Sequence, residues 1–203
     1  MGEKEEEGEE EDMGFEEAYH GIPPWDIGRP QPEIVRLSEE DEIRGSVLDV
    51  GCGTGENALY LAEKGHEVWG IDASPTAIRK AHKKSIDRSV DVTFLIWNAL
   101  KLGGLGKEFD TVVDSGLFHV FTDDERTKFV NGLHGVLKPG GTYYMLCFSE
   151  NQPGTWGPRR IKKEEILSAF SGPWEVNYVE DVIFETTFDP PEIKAYLVSV
   201  TRD

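Results

Sequence analysis

The residues with the clearest chemistry lie in one short run, Val47-Leu48-Asp49-Val50-Gly51-Cys52-Gly53-Thr54-Gly55-Glu56. An apolar stretch carrying one acid leads into three glycines at alternate positions, and a helical pattern opens behind them. Glycine permits positive φ and close approach of backbone to a ligand. A helix N-terminus presents unpaired N–H groups and a partial positive charge. The run therefore reads as a ligand cradle. Asp72 ends the next apolar run, 21 positions after Gly51, where a carboxylate can accept both hydroxyls of an adenosine ribose. The spacing is G-x-G-x-G rather than the G-x-G-x-x-G of dinucleotide sites, and Glu56 holds the sixth place. A glutamate there opposes a pyrophosphate, and Asp49 inside the loop suits a cationic ligand. Farther on, His119 is a candidate general base because its ordinary pKa of about 6.5 lies near working pH. It reads equally as a histidine bonded to its loop or to the edge of a bound cofactor. Cys52 and Cys147 fit neither a disulfide framework nor a zinc spacing, and the Cys52 thiol reads as a small packing group.

The elements that position these residues alternate. Strands are expected at residues 46–50, 67–71, 92–97, 109–114 and 142–148. Helices are expected at 56–64, from Pro75 to about Ser85, at 122–137 and at 164–170. Ser74-Pro75 supplies an N-cap and a first-turn proline, and Thr122 with Glu125 forms a capping box. Lys138-Pro139-Gly140-Gly141 reads as a turn. Two final strands, 174–186 and 193–201, have no helix between them and form a hairpin. Strand–helix alternation implies a parallel sheet covered on both faces. The fold class is α/β, a Rossmann-like doubly wound seven-stranded sheet, mostly parallel, with one antiparallel strand near the edge.

Composition narrows the function. The chain has 203 residues and a net charge of −18, and its first 17 residues alone hold ten acids and one lysine. So acidic a chain repels polyphosphate, which disfavours nucleic-acid partners. No apolar run approaches the roughly 20 residues that cross a bilayer, and no apolar signal segment opens the chain; a soluble, cytoplasmic setting is expected. Residues 1–12 are low-complexity glutamate and read as a disordered, solubilising tail. Residues 13–45 are aromatic and proline-rich. Pro23, Pro24, Pro30 and Pro32 prevent a long helix or central strand across 22–32, so an ordered arm lying over the main domain, residues 46–203, is expected.

These motifs carry a resemblance. Residues 47–55 with Asp72 resemble motif I and the ribose-binding acid of the class I S-adenosylmethionine-dependent methyltransferases. Leu137-Lys138-Pro139-Gly140-Gly141 resembles the turn before their fifth strand. Trp25-Asp26-Ile27-Gly28-Arg29-Pro30-Gln31-Pro32, with Asp114-Ser115-Gly116-Leu117-Phe118-His119, resembles the thiopurine-methyltransferase-like and heterocyclic-toxin methyltransferase branch. The resemblance implies S-adenosylmethionine as cofactor. It implies that Gly51, Gly53, Gly55 and a Cys52 amide line the cofactor loop, that Asp49 meets the methionine amino group and that Asn57 reaches its carboxylate. Asp72 and Ala73 would then meet the ribose, and Asn98 and Ala99 the adenine. Trp25 and Arg29 would close over the methionine end, with Asp114 completing the cofactor-contacting set. Structural alternatives stay open for Asp49 (an acid on loop amides), Asn57 (a surface amide), Asn98 (a turn residue) and the arm (a cap on apolar surface). Arg159-Arg160, in a loop at 152–160 expected to line the acceptor site, read either as an attraction for an anionic acceptor or as partners of local acids.

The expected reaction is methyl transfer to a thiol, hydroxyl or ring nitrogen of a small, hydrophobic or heterocyclic molecule. In-line proximity and exclusion of water supply much of the acceleration, and no metal is needed. A monomer or weak dimer is expected. A non-catalytic cofactor-binding module, a nicotinamide-dependent oxidoreductase and an RNA methyltransferase are the alternatives, the last two disfavoured by loop spacing and by charge.

Overall fold

A computed structural model describes residues 14–203; the expected disordered tail at 1–12 lies outside the described residues. The strands are β1 (Val47–Val50), β2 (Val68–Asp72), β3 (Thr93–Ile96), β4 (Phe109–Ser115), β5 (Leu137–Phe148), β6 (Trp174–Glu185) and β7 (Glu192–Arg202). The α-helices past residue 30 are α1 (Pro32–Glu39), α2 (Glu56–Glu63), α3 (Pro75–Arg88), α4 (Asp123–Val136) and α5 (Lys163–Ala169). The strands form one seven-stranded sheet in the order β3-β2-β1-β4-β5-β7-β6. β7 runs antiparallel to both β5 and β6, and the other neighbouring pairs are parallel.

Alternation along the strands divides the core. Leu48, Val112 and Tyr143 pack with Phe129 and Leu133 of α4 and Ile166 of α5. Their neighbours Val47, Val113 and Tyr144 face the other way, onto Ile34 and Leu37 of α1, Leu59 of α2 and Ile78 of α3. Each face of a strand buries its own apolar set, which fixes the register. The cap signals act as read: Ser74 Oγ accepts from Ala77 N at 3.0 Å, and Thr122 and Glu125 satisfy each other's amides.

Two elements differ from expectation. The arm contains a helix, α1, with Pro32 in its first turn and Ile34 and Leu37 buried. A proline breaks a helix that runs through it, but its missing N–H costs nothing in a first turn. β5 starts at Leu137 and absorbs the turn at 138–141. The ladder shifts between Phe109↔Leu137 and Thr111↔Thr142, and Gly140 takes φ 76° to make the bend. β1 and β4 lie side by side at the point where the strand order reverses. In open α/β sheets the crevice at the carboxyl ends there is the ligand site.

Candidate functional site

The loop from Gly51 to Gly55 leaves β1 at that crevice, and each glycine there answers a different neighbour. All three have positive φ. A Cβ on Gly55 would come within 2.7 Å of the Phe94 ring, one on Gly53 within 2.6 Å of the Tyr19 hydroxyl, and one on Gly51 within 3.1 Å of Leu117. The backbone thus touches β3, the arm and the post-β4 loop at once. Two expectations change here. The Cys52 amide donates to Ile71 O at 2.9 Å, so it holds the loop to β2 and is not offered to a ligand. Glu56 does not face the cradle as a bare charge, because Lys84 (2.7 Å) and Arg88 (2.8 Å) of α3 neutralise it. The Cys52 thiol is buried, and burial, with the Asp49 and Asp72 charges, pushes it well above the usual thiol range.

Three acids cluster at the strand ends. Asp72 accepts Gly53 N–H (2.8 Å) and Ser74 N–H (2.9 Å), so it shapes the loop. A carboxylate has about four acceptor positions, so a diol can share it with these amides. Ala73 lies exposed beside it. Asp49 is 1% exposed, and neither of its oxygens has a hydrogen-bond partner among the described residues. Burial, with the nearby Asp114 charge, raises it to about 8, against a weaker pull from the Ala58 amide. Asp114 is also fully buried, but its oxygens accept from Leu117 N (2.7 Å), Phe118 N (3.0 Å) and Tyr143 OH (2.8 Å). It shapes the turn after β4, which corrects the expectation that it contacts cofactor. Only Asp49 is left as an orphaned buried carboxyl. A buried acid without partners is costly, and a ligand bearing a compact cation fits it.

The arm closes the crevice. Tyr19, Trp25, Asp26, Arg29 and Gln31 line a cleft of about 50 Å³ together with Gly51 to Thr54, Asn57 and Ser115. Trp25 Nε1 donates to Tyr19 OH at 2.9 Å. Thr54 Oγ1 donates to Asp26 at 2.8 Å. Gln31 acts as a strand partner: its Nε2 donates to Glu185 O (2.9 Å) and its Oε1 accepts Glu185 N–H (3.1 Å). Its own N–H donates to Asn57 Oδ1 at 3.0 Å, so Asn57 faces the crevice with that oxygen engaged. Arg29 pairs with Glu185 of the terminal hairpin; its expected partner, a ligand carboxylate, is replaced by one from the protein. At the other end of the arm, Glu16 accepts from Ser74 and Thr76 at the start of α3, and those bonds lower it to about 2.

Asn98 caps the 3-10 helix that starts at Ala99, accepting Leu100 N–H at 2.8 Å, so its oxygen serves the turn. His119 is 5% exposed and its Nδ1 accepts Phe148 N–H at 3.0 Å. Burial, with the positive Arg126 and Arg160, lowers it to about 3. Its basic nitrogen is occupied and the ring stays neutral, which corrects the general-base expectation. Arg159 pairs with Asp123 and Glu165, while Arg160 donates to carbonyls of its own loop. Tyr19, Asp26, Gln31, Thr54 and Ser115 join the site beyond the expected residues. All but Tyr19 lie inside the quoted motifs, and Tyr19 is visible in the sequence only as an aromatic residue of the arm. A larger hollow of about 590 Å³ lies at the opposite sheet edge, by Glu63, His66, Glu67 and Asp91. It contains none of these groups.

Residues 47–141 match the family described as "Methyltransferase domain". The 2-heptyl-1-hydroxyquinolin-4(1H)-one methyltransferase of Mycobacteroides abscessus is 37% identical over 174 residues, covering 80% of this chain and 77% of that protein. The probable thiol methyltransferase 2 of Arabidopsis thaliana is 29% identical over 75% of this chain and 69% of its own. A solved structure from work on conversion of a disulfide bond into a thioacetal group during echinomycin biosynthesis superposes with TM-score 0.87 at 32% identity, over 95% of this chain and 93% of that one. The Burkholderia thailandensis 1,6-didemethyltoxoflavin-N1-methyltransferase shares the fold, with TM-score 0.76 at 18% identity over 100% of this chain and 91% of that one. With motif I at the carboxyl end of β1, the 3-2-1-4-5-7-6 sheet and these relatives, the chain belongs to the class I S-adenosylmethionine-dependent methyltransferases.

Proposed function

We propose that this chain methylates a thiol, hydroxyl or ring nitrogen of a small hydrophobic or heterocyclic molecule. The observation that carries the cofactor half is Asp49, a buried carboxyl that, among the described residues, has no hydrogen-bond partner within normal geometry and only a weak pull from the Ala58 amide, beside a backbone cradle. When bound, S-adenosylmethionine supplies a methyl group made electrophilic by a sulfonium. Gly51, Gly53 and Gly55 keep the loop open to it, and Asp49 meets its ammonium. Asn57, its oxygen held by Gln31, turns amide donors toward the carboxylate. Asp72 and Ala73 hold the ribose; Asn98, capping its turn, and Ala99 border the adenine. Trp25, pinned to Tyr19, shields the sulfonium from water, and an aromatic face suits a cation.

The acceptor class rests on the relatives. One is named for a hydroxyquinolinone, one for a thiol and one, from Brassica oleracea, for thiocyanate. All three names carry a small acceptor. The arm acts as the lid, the enzyme works in the cytoplasm as a monomer or weak dimer, and nucleic acid is not its substrate. No helix among the described residues is long and apolar enough to cross a membrane. The test is release of S-adenosylhomocysteine from a panel of thiols, phenols, heterocyclic hydroxyls and amines, with Asp72→Ala as the blank. Asp72→Ala should weaken cofactor binding at least about tenfold. Unchanged calorimetric affinity would remove the ribose assignment.

A further inference from the structure

His119 is the feature that the cofactor site does not use. It leaves the carboxyl end of β4 beside the cleft: a Cβ on Gly116 would lie 3.6 Å from His119 Cε1, and Gly116 comes directly after Ser115, which lines the cleft. The ring sits edge-on to Phe148 at 4.8 Å and tilted to Phe184 at 6.5 Å. Because Nδ1 accepts the Phe148 N–H, the neutral ring carries its proton on Nε2. No group among the described residues meets that N–H, and it is not among the fully sealed polar atoms. A 95%-buried side chain thus keeps one donor unpaired among the described residues, packed against Gly116 next to the cleft-lining Ser115.

The charges around it favour an anion. Arg160 packs over Phe148 at 5.6 Å and over Trp156 at 5.4 Å. Its guanidinium bonds only to carbonyls, of Gln152, Pro153, Trp156 and Pro158, so no carboxylate cancels its charge among the described residues. Arg126, on α4, stacks over Phe118 at 5.1 Å and is ion-paired with Asp123 and Glu165, each at 3.5 Å, so it adds less to the local field than Arg160. The other groups on the packed elements are spoken for. Asp114 of β4 is held by two amides and Tyr143. Burial keeps the Cys147 thiol of β5 protonated, and Glu185 of β6 pairs with Arg29. In a chain of net charge −18, a neutral donor backed by the Arg160 guanidinium, which bonds only to carbonyls, is locally favourable to an anion.

We propose that His119 is a specificity-determining donor, its Nε2–H bonding an acceptor that binds as an anion, a thiolate or the oxyanion of an acidic heterocyclic hydroxyl. This rests on the methyltransferase reading. The acceptor loses its proton to solvent before it binds. Its lone pair forms the new bond to the methyl carbon, the carbon–sulfur bond breaks, and that electron pair remains on sulfur, cancelling the positive charge. No proton is left for the protein to remove, so the enzyme selects acceptors acidic enough to ionise near neutral pH.

The test uses the full chain with para-substituted thiophenols of graded pKa and 2-heptyl-1-hydroxyquinolin-4-one. S-adenosylhomocysteine release is followed against pH. The expected result is a kcat/KM midpoint that moves unit for unit with the acceptor's own pKa. One midpoint common to all acceptors overturns the proposal. His119→Phe should raise KM for each acceptor about tenfold, the loss of one hydrogen bond to a charged group, and leave the midpoints unmoved. His119→Gln, which keeps an N–H, should stay within about threefold. Nitrogen NMR gives a readout independent of turnover: the His119 ring should remain a neutral Nε2–H tautomer from about pH 5 to 9, and protonation near pH 6.5 overturns the proposal. Calorimetric cofactor binding with no product from any of these anions also overturns it and leaves the methyltransferase reading standing. Failure of the wild-type chain to bind cofactor would sink that reading instead.

Discussion

The two sides of this crevice are built by different means. Around Gly51–Gly55 the groups hang from adjacent parallel strands, β2, β1 and β4, and backbone bonds set the geometry: Gly51 N and Cys52 N both donate to Ile71 O. Across the crevice, the arm and the β6–β7 hairpin meet mainly through side chains, with a single backbone bond added. Gln31 imitates a strand against Glu185, Arg29 pairs with the same residue, and Thr187 N donates to Pro24 O at 2.8 Å. Strand-borne sites hold their shape through the whole sheet. A side-chain seam can open without disturbing the core, which is what a lid over an acceptor needs.

The contrast is broken most forcefully on the strand side. Gly55→Ala places a side chain at φ 85° and 2.7 Å from the Phe94 ring. Left-handed backbone costs about 1–2 kcal/mol and overpacking about 1–3, so the midpoint of thermal unfolding should fall by roughly 5–15 °C. A fall under about 2 °C would mean that Phe94 yields freely and that this side is not rigid. Asp49→Asn acts on affinity instead. It should weaken cofactor binding about ten- to hundredfold, read by calorimetry, while raising the stability of the unliganded chain at alkaline pH. The sign comes from the raised pKa. Asp49 holds its proton to about pH 8 in the folded state but ionises near 3.9 when unfolded. Folding therefore loses stability as pH climbs between these values and stays lowered above them. The asparagine variant should show a flatter dependence in urea titrations across that range, and an unchanged slope would show that Asp49 is compensated.

The same division explains what can be read from the sequence. Asp49, Asp72 and the glycines sit where the periodicity changes from strand to helix, so composition and spacing place them. All seven strands and the α2, α3, α4 and α5 helices emerge from period and caps. The seam between arm and hairpin depends on bonds between residues over 100 positions apart, and no local pattern announces that Gln31 will pair with Glu185. Asp114 and His119 are hard to read for a milder form of this reason, with partners 29 positions on. Their residue types suit chemistry, but their partners, Tyr143 and the Phe148 N–H, come from β5. The α1 helix escapes a reading in which the four prolines of 23–32 are only breakers, because Pro32 also starts the helix.

The seam gives smaller effects that sharpen the comparison. Gln31→Ala removes two backbone-directed bonds, worth together about 1–3 kcal/mol. Since they join the arm to the hairpin and not to the sheet core, the unfolding midpoint should move little. Amide exchange at Glu185 and Thr187 should instead speed up about tenfold, and protection unchanged at both would mean that the arm is held elsewhere. Arg29→Ala should do least. The pair with Glu185 is half exposed, 55% and 31% for the two side chains, and such pairs contribute only about 0.2–1 kcal/mol. If Arg29 does no more than latch the arm, cofactor affinity should change by less than about fivefold, while the acceptor KM rises modestly and the effect fades with added salt. A loss of cofactor affinity beyond about tenfold would mean that the guanidinium swings from Glu185 to the ligand's carboxylate on binding. Arg29 would then belong to both sides of the crevice, and closing the arm would depend on cofactor already being in place.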